Sequence, residues 1–366
     1  VGAAAAPLAP VALRSIGSLL IIPAFSQTRT LRTFRTFACM LSTPVLLLVY
    51  KRLDTLRRVW EAIRLARPKY LFISGDGPKE DKQSQEAVAK VRQFCESQID
   101  WPCEAHFQWL PFNHGMKQGV LRGIFWFFSQ VPEGIVLEDD TLPIPDFFSF
   151  CTELLERYRE EARIGMIGGW NGVPPAYLPY QYDFLRLPVV WGWASWRRAL
   201  EGYDPDMKDW HELRQTDFLD RVMGENLRLK KYFYLFFDRT AGVGGPPADY
   251  WDYSLTYHFF KRGLLAVFPR TNLVSNLGFG VEGATTTTAT RVLPEPQPLP
   301  RDLPPPPYIY PNLRAEAYLT RHYLNPPLHY RAYYRIQADL HYGTLWKTFS
   351  SPRFWKKALR IALGRY

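Results

Sequence analysis

Residues 44–50, PVLLLVY, are a short continuous apolar run, and residues 54–66, DTLRRVWEAIRLA, follow it with a different rhythm. An unbroken apolar run of this length suits a strand covered on both faces. In the second stretch Leu56, Val59, Trp60 and Ile63 recur at helical spacing, behind Asp54 or Thr55 as the expected cap. YLFISGDGP (70–78) then reads as a strand and turn, and KEDKQSQEAVAKVRQFCESQ (79–98) as an exposed helix. Strand, helix, strand, helix is the order of a parallel sheet. The expected fold class is α/β and Rossmann-like, with a mostly parallel central sheet flanked by helices.

The alternation continues outward through a helix near 115–130, the strand GIVL, a helix led by Asp146 as cap, and a strand at IGMIGG (164–169). Beyond residue 170 the chain turns aromatic, proline-rich and loop-like, although WASWRRAL (193–200) is expected to start a helix. A helix is expected over 249–262 and a late strand within LLAVFPRTNLVSN (264–276). These elements give a domain over 43–283. Residues 284–312, with TTTT and PEPQPLPRDLPPPPYIYP, read as a Pro-rich linker, and 313–366 as a basic aromatic tail. The ending RFWKKALRIALGRY suits either a docked helix or an interfacial membrane helix.

Charge placement excludes one class of partner. The formal net charge is +10, of which residues 1–42 carry +4 and residues 313–366 carry +8, leaving the body at −2. A nucleic-acid enzyme carries its basic surface on the folded body, so no nucleic acid is expected as a partner. Basic ends on a neutral body suit peripheral association with the inner face of the cell membrane, from a cytoplasmic location. The four cysteines are scattered without a CxxC pair, which indicates neither a zinc site nor a disulfide framework. Residues 1–42 are acid-free and contain IGSLLIIPAF (16–25), an apolar stretch too short to span a bilayer. The chain begins with Val and its first methionine is Met40. The expectation is an N-terminal extension without a fixed fold or an over-called start.

The chemistry is read from GIVLEDDTLPIPDFF (134–148), where Glu138, Asp139 and Asp140 follow a buried strand directly. Carboxylates at a strand's C-terminal end sit where α/β sheets place ligands. They can hold a hard divalent cation, and Mg²⁺ or Mn²⁺ with open positions will bind a diphosphate. A solvated acidic turn is the plainer alternative for the triplet alone.

In combination these motifs resemble the GT-A nucleotide-diphospho-sugar transferases, both the bacterial hemolytic-protein-like family and N-acetylglucosaminyltransferase I, which carries a Glu-Asp-Asp version of the DXD motif. PVLLLVYKRLDTLRRVWEAI, LFISGDGP, GIVLEDDTLPIPDFFSF, VVWGWASWRRAL and YWDYSLTYHFF match the family's motifs in order across about residues 44–282. The resemblance implies a metal-dependent sugar transferase, with a nucleotide-diphospho-sugar donor, Mn²⁺ or Mg²⁺, and inversion at the anomeric carbon. It implies that Asp140 is the direct metal ligand, while Glu138 and Asp139 contact ribose or the remaining metal shell. Arg52 would contact the nucleotide and Asp76 the base. His114 precedes a helix, where a polar residue is expected in any case, and a contact with the diphosphate is its functional alternative. Asp252 would be the catalytic base, with Asp249 as the second candidate and a helix cap as its structural alternative. Trp191, Trp193 and Trp196 are economically core residues, but Trp193 would be the one to line the sugar pocket. The implied acceptor is a saccharide or lipid-linked saccharide of a surface glycan. Two rivals stand beside this reading. A sugar nucleotidyltransferase would want a glycine-rich phosphate loop after the first strand, and a non-catalytic sugar- or membrane-binding module would keep the fold without turnover.

Overall fold

The computed structural model of the chain describes residues 40–278, 294–300 and 302–324, with isolated residues between 349 and 359. The extension before residue 40, the TTTT stretch and most of the terminal RFWKKALRIALGRY lie outside the described residues. From the opening run the chain builds β1 (Val45–Val49), α1 (Leu53–Ala66), β2 (Tyr70–Gly75), α2 (Lys82–Ser97), β3 (Glu104–Trp109), α3 (Gly115–Gln130) and β4 (Glu133–Glu138). Next come β5 (Thr141–Pro143), α4 (Pro145–Arg157), β6 (Ile164–Gly168), β7 (Tyr182–Leu185) and β8 (Trp193–Trp196). After them lie α5 (Trp210–Leu213), α6 (Phe218–Met223), α7 (Leu227–Thr240), α8 (Asp252–Arg262), β9 (Leu265–Pro269), β10 (Val274–Asn276) and α9 (Leu313–His322).

The unbroken apolar run of β1 serves two cores at once. Val45, Leu47 and Val49 pack on one face with Leu56, Val59, Trp60 and Ile63 of α1, while Leu46 and Leu48 pack on the other with Leu121, Ile124 and Phe127 of α3. Each such aliphatic side chain taken from water contributes about 1.5–3 kcal/mol. The α/β expectation holds: an eight-stranded mixed sheet runs β3-β2-β1-β4-β8-β6-β9-β7, with a separate β10-β5 pair. β3, β2, β1 and β4 are mutually parallel, and β6 is parallel to β9, whereas β8 and β7 join antiparallel. The chain steps from β1 outward to β2 and β3, then returns through α3 to place β4 on the opposite flank of β1. That reversal makes the β1–β4 boundary the topological switch point of the sheet.

Three expectations are corrected. WASW is not a helix start but β8, because Trp193 faces the α3 side while Ala194 and Trp196 face the α1 side, a period of two. Asp146 does not cap α4, whose cap position is Ile144; its carboxylate accepts the Leu299 N–H at 2.8 Å. That bond belongs to the third correction, for where 294–312 is described it lies on the body and is not a free linker. The Gln297 N–H donates to the Asn272 carbonyl at 2.8 Å, the Asn312 N–H donates to the Phe184 carbonyl at 2.8 Å, and Leu303 is buried in the main core. The described start of the basic tail is likewise integral: α9 packs on β7 and buries Glu316 against Arg186. Among the described residues no helix is long and apolar enough to cross a membrane.

Candidate functional site

Open α/β sheets bind ligands in the crevice beyond the strand ends at the switch point. Here β1 is followed there by Tyr50, Lys51 and Arg52, and β4 by the acids. The Arg52 guanidinium spans two of them, Nη1 pairing with Asp140 Oδ2 at 2.7 Å and Nη2 with Asp139 Oδ1. The Tyr50 N–H donates to Asp139 Oδ2 at 3.3 Å. Thr141 Oγ1 closes the acid turn, accepting the Glu138 N–H at 2.8 Å and donating to the Glu138 carbonyl at 3.1 Å. From above, the Leu277 N–H donates to the Asp140 carbonyl at 2.7 Å. Gly278 follows so closely that a Cβ there would collide with Asp140 Oδ2.

The charges in this crevice do not balance. Asp252 opens α8 and its charge reaches Glu138, and among the described residues Arg52 pairs with Asp139 and Asp140, while neither Glu138 nor Asp252 has an ion pair. Burial first, then the Asp140 and Asp139 charges, push Glu138 well above the usual glutamate value, with Asp252 adding and Arg52 opposing. Its carboxylate has no hydrogen-bond partner among the described residues. Burial raises Asp139 to about 6 against the pull of Arg52. Burial also raises Asp252 to about 6, against its own and the Tyr253 backbone N–H. Burial draws the Arg52 guanidinium down, and the Asp139 and Asp140 charges outweigh it, so Arg52 is raised.

An all-oxygen donor set with an unpartnered carboxylate fits a hard cation such as Mg²⁺ or Mn²⁺. Among the described residues no group of three or more His, Cys, Asp or Glu side chains has the arrangement of a complete metal cage. Such a cation would therefore take one or two carboxylates from the protein and its remaining ligands from phosphate and water, the usual habit of Mg²⁺.

The structure gathers Arg52, Glu138, Asp139, Asp140 and Asp252 and sets three other expected residues apart. Asp76 is already saturated: its carboxylate accepts the Gly77 N–H at 2.9 Å, Asn113 Nδ2 at 2.9 Å and the His114 N–H at 3.0 Å, and lies 3.2 Å from His114 Nδ1. These bonds fasten the β2 turn to the start of α3 and leave neither Asp76 nor the His114 backbone N–H free for a nucleotide. Asp249 is an exposed carboxylate bonded to the first turn of α3, not a cap of its own helix and not a free base. Trp193 is 1% exposed and packs between Phe128 and Trp251 at centroid distances of 6.4 Å, so it cannot offer a ring face to a sugar. Trp196 is equally buried. The half-buried member of the trio is Trp191, set edge-on to Trp170 at 5.1 Å.

One feature near Asp252 was missed. Tyr253 stacks on Phe236 of α7 at 4.3 Å and shares a 2.7 Å hydroxyl bond with Tyr232. The aromatic residues flanking Asp252 in DYWDYSLTYHFF were the visible signal; the α7 partners carried none.

No protein-family model and no curated protein matches the chain. Among solved structures that do match is a cytidylyltransferase from Leptospira borgpetersenii serovar Hardjo-bovis (strain JB197), at 9% identity and a TM-score of 0.26. The match covers 45% of this chain and 64% of that one, so this chain spans less than two thirds of its length. A likeness at that level carries no functional argument.

Proposed function

We propose that the chain is a GT-A-like glycosyltransferase, moving a sugar from a nucleoside-diphosphate donor to a hydroxyl acceptor with inversion. The observation that carries the reading is the set of four carboxylates at the switch point faced by one guanidinium. Such a deficit of positive charge is costly to fold and suits a site completed by a cation. Asp140, with Glu138 beside it, would hold the cation, which when bound supplies Lewis-acid stabilisation to the leaving diphosphate. Arg52 orients Asp139 and Asp140. Asp252, with a pKa of about 6, is deprotonated at neutral pH yet basic enough to accept a hydroxyl proton, and its charge reaches Glu138. A single general base on the acceptor side is the arrangement inversion requires. The acceptor class remains a saccharide or lipid-linked saccharide.

The nucleotidyltransferase alternative is disfavoured by the β1–α1 connection. Only Tyr50, Lys51 and Arg52 separate the strand from the helix, with no glycine, too short and too bulky to wrap a triphosphate. The test is a panel of nucleoside diphosphates and nucleotide-sugars screened by thermal shift with and without Mn²⁺. Metal-dependent stabilisation by one donor, followed by its slow hydrolysis, is expected. Stabilisation by nucleoside triphosphates alone, with pyrophosphate release, would move the assignment to the rival.

A further inference from the structure

Asp249 lies three residues before Asp252, and its bonds reach a different part of the molecule. Oδ2 accepts the Met116 N–H at 2.8 Å and Oδ1 accepts the Lys117 N–H at 2.9 Å. These are among the donors that every helix leaves open at its start, where a carboxylate is also favoured by the helix dipole. His114, at the cap position of α3, makes no side-chain cap bond. α3 therefore takes its cap from a segment more than 130 residues away. Gly115 makes the approach feasible: its φ is +84°, and a Cβ there would stand 3.0 Å from Asp249 Oδ2. The opposite flank of the same turn is held as well. The Tyr203 hydroxyl donates to the Trp251 carbonyl at 3.2 Å and lies 2.7 Å from Ser254 Oγ, while Ser254 Oγ donates to that same carbonyl at 2.9 Å.

We infer that Asp249 is a positioning residue that fixes Asp252 against the acid triplet, an inference that rests on the reading of Asp252 as the base. α3 packs on β1, β2 and β4, so its N-terminus is placed by the same strands that deliver Arg52 and Glu138–Asp140. Asp249 carries that placement to the start of α8. A misplacement of about 1 Å at a reacting group can cost on the order of 100-fold in rate. Asparagine at 249 keeps one accepting oxygen and turns an amide N–H₂ toward the second backbone N–H, so it can satisfy only one of the two.

The full chain is compared as wild type, Asp249→Asn and Asp81→Asn. The last is a matched control, since Asp81 caps α2 by accepting the Ser84 N–H at 2.7 Å and takes no part in the crevice. Hydrogen exchange at Leu255 and Thr256 is followed together with kcat and KM for the donor in Mn²⁺. Asp249→Asn is expected to speed that exchange about tenfold or more. It should also lower kcat by roughly 10- to 100-fold with KM changed less than about twofold. Asp81→Asn should change neither, and Gly115→Ala, which pushes on Asp249 from the α3 side, should reproduce both effects. Unchanged exchange in Asp249→Asn overturns the proposal whatever the activity, and so does an equal loss of kcat in Asp81→Asn. Faster exchange in a protein whose wild type binds no nucleotide-sugar supports the clamp and overturns the sugar-transfer reading instead.

Discussion

Acids taken from solvent are treated in opposite ways in two regions of this molecule. Under α9, Glu316 is 1% exposed and fully met: Oε1 accepts the Arg186 N–H at 2.7 Å, and the Arg186 guanidinium pairs with both oxygens. Asp238 in α7 is similar, accepting Trp210 Nε1 at 2.8 Å and two Arg214 nitrogens at 3.0 Å each. At the switch point Arg52 pairs with Asp139 and Asp140 and leaves Glu138 and Asp252 without an ion pair among the described residues, and burial drives Glu138, Asp139 and Asp252 upward in pKa. A satisfied network specifies a fold, whereas an unsatisfied one persists where something outside the chain completes it. The contrast therefore separates acids that hold the structure from acids that, on the proposed function, a cation would complete.

That contrast breaks first at Asp252. Replacing it with Asn should lower kcat by about 10²–10⁴-fold while donor binding survives, and the wild-type rate should rise with pH through about 6, as the base loses its proton. A variant keeping a tenth of the activity would remove Asp252 as base. Next is Glu316→Ala, which strands Arg186 and should cost about 3 kcal/mol, read as a lower Tm with the Mn²⁺-nucleotide shift intact. Loss of that shift would mean α9 belongs to the site after all. Third, a saturating Mn²⁺-nucleoside diphosphate at a hundred times its Kd should stabilise the wild type by about 2.7 kcal/mol and leave Asp140→Ala unmoved. An equal shift in the variant would place the metal elsewhere.

Much of the fold that frames the candidate site was legible because its signals are local. The apolar run of β1, the helical spacing of α1 and the acids directly after GIVL fix the parallel half of the sheet and its switch point from neighbouring residues. What could not be read depends on partners distant in sequence. Asp76 and Asp249 were candidates for nucleotide contact and base, with a turn and a helix cap as alternatives, and their donors at the start of α3 lie up to 38 and 133 residues away. Trp193 and Trp191 are chemically alike, and only the pairing of β8 between β4 and β6 buries one of them. The proline-rich stretch reads as a linker because prolines lack N–H groups and favour extended chain. Its attachment comes instead from Asp146, Asn272 and Phe184 on the body.

The smallest predicted effect is also the most direct test of the contrast, because it has the opposite sign from ordinary damage. In the folded chain the Asp252 pKa is about 6 against a usual 3.8, so between those values the native state keeps a proton that the unfolded chain has released. Stability then falls as pH rises through that window, and above about 6 the whole penalty of the buried charge is present. Asn carries no charge and escapes it. Asp252→Asn should therefore be more stable than wild type at pH 8, by on the order of 1–3 kcal/mol. The gain should shrink through pH 5 and vanish near pH 4. Melting temperatures of both proteins at pH 4, 6 and 8 decide it. A difference that stays constant with pH would mean that Asp252 titrates as an ordinary surface acid, and the distinction between structural and ligand-awaiting carboxylates would lose its clearest member.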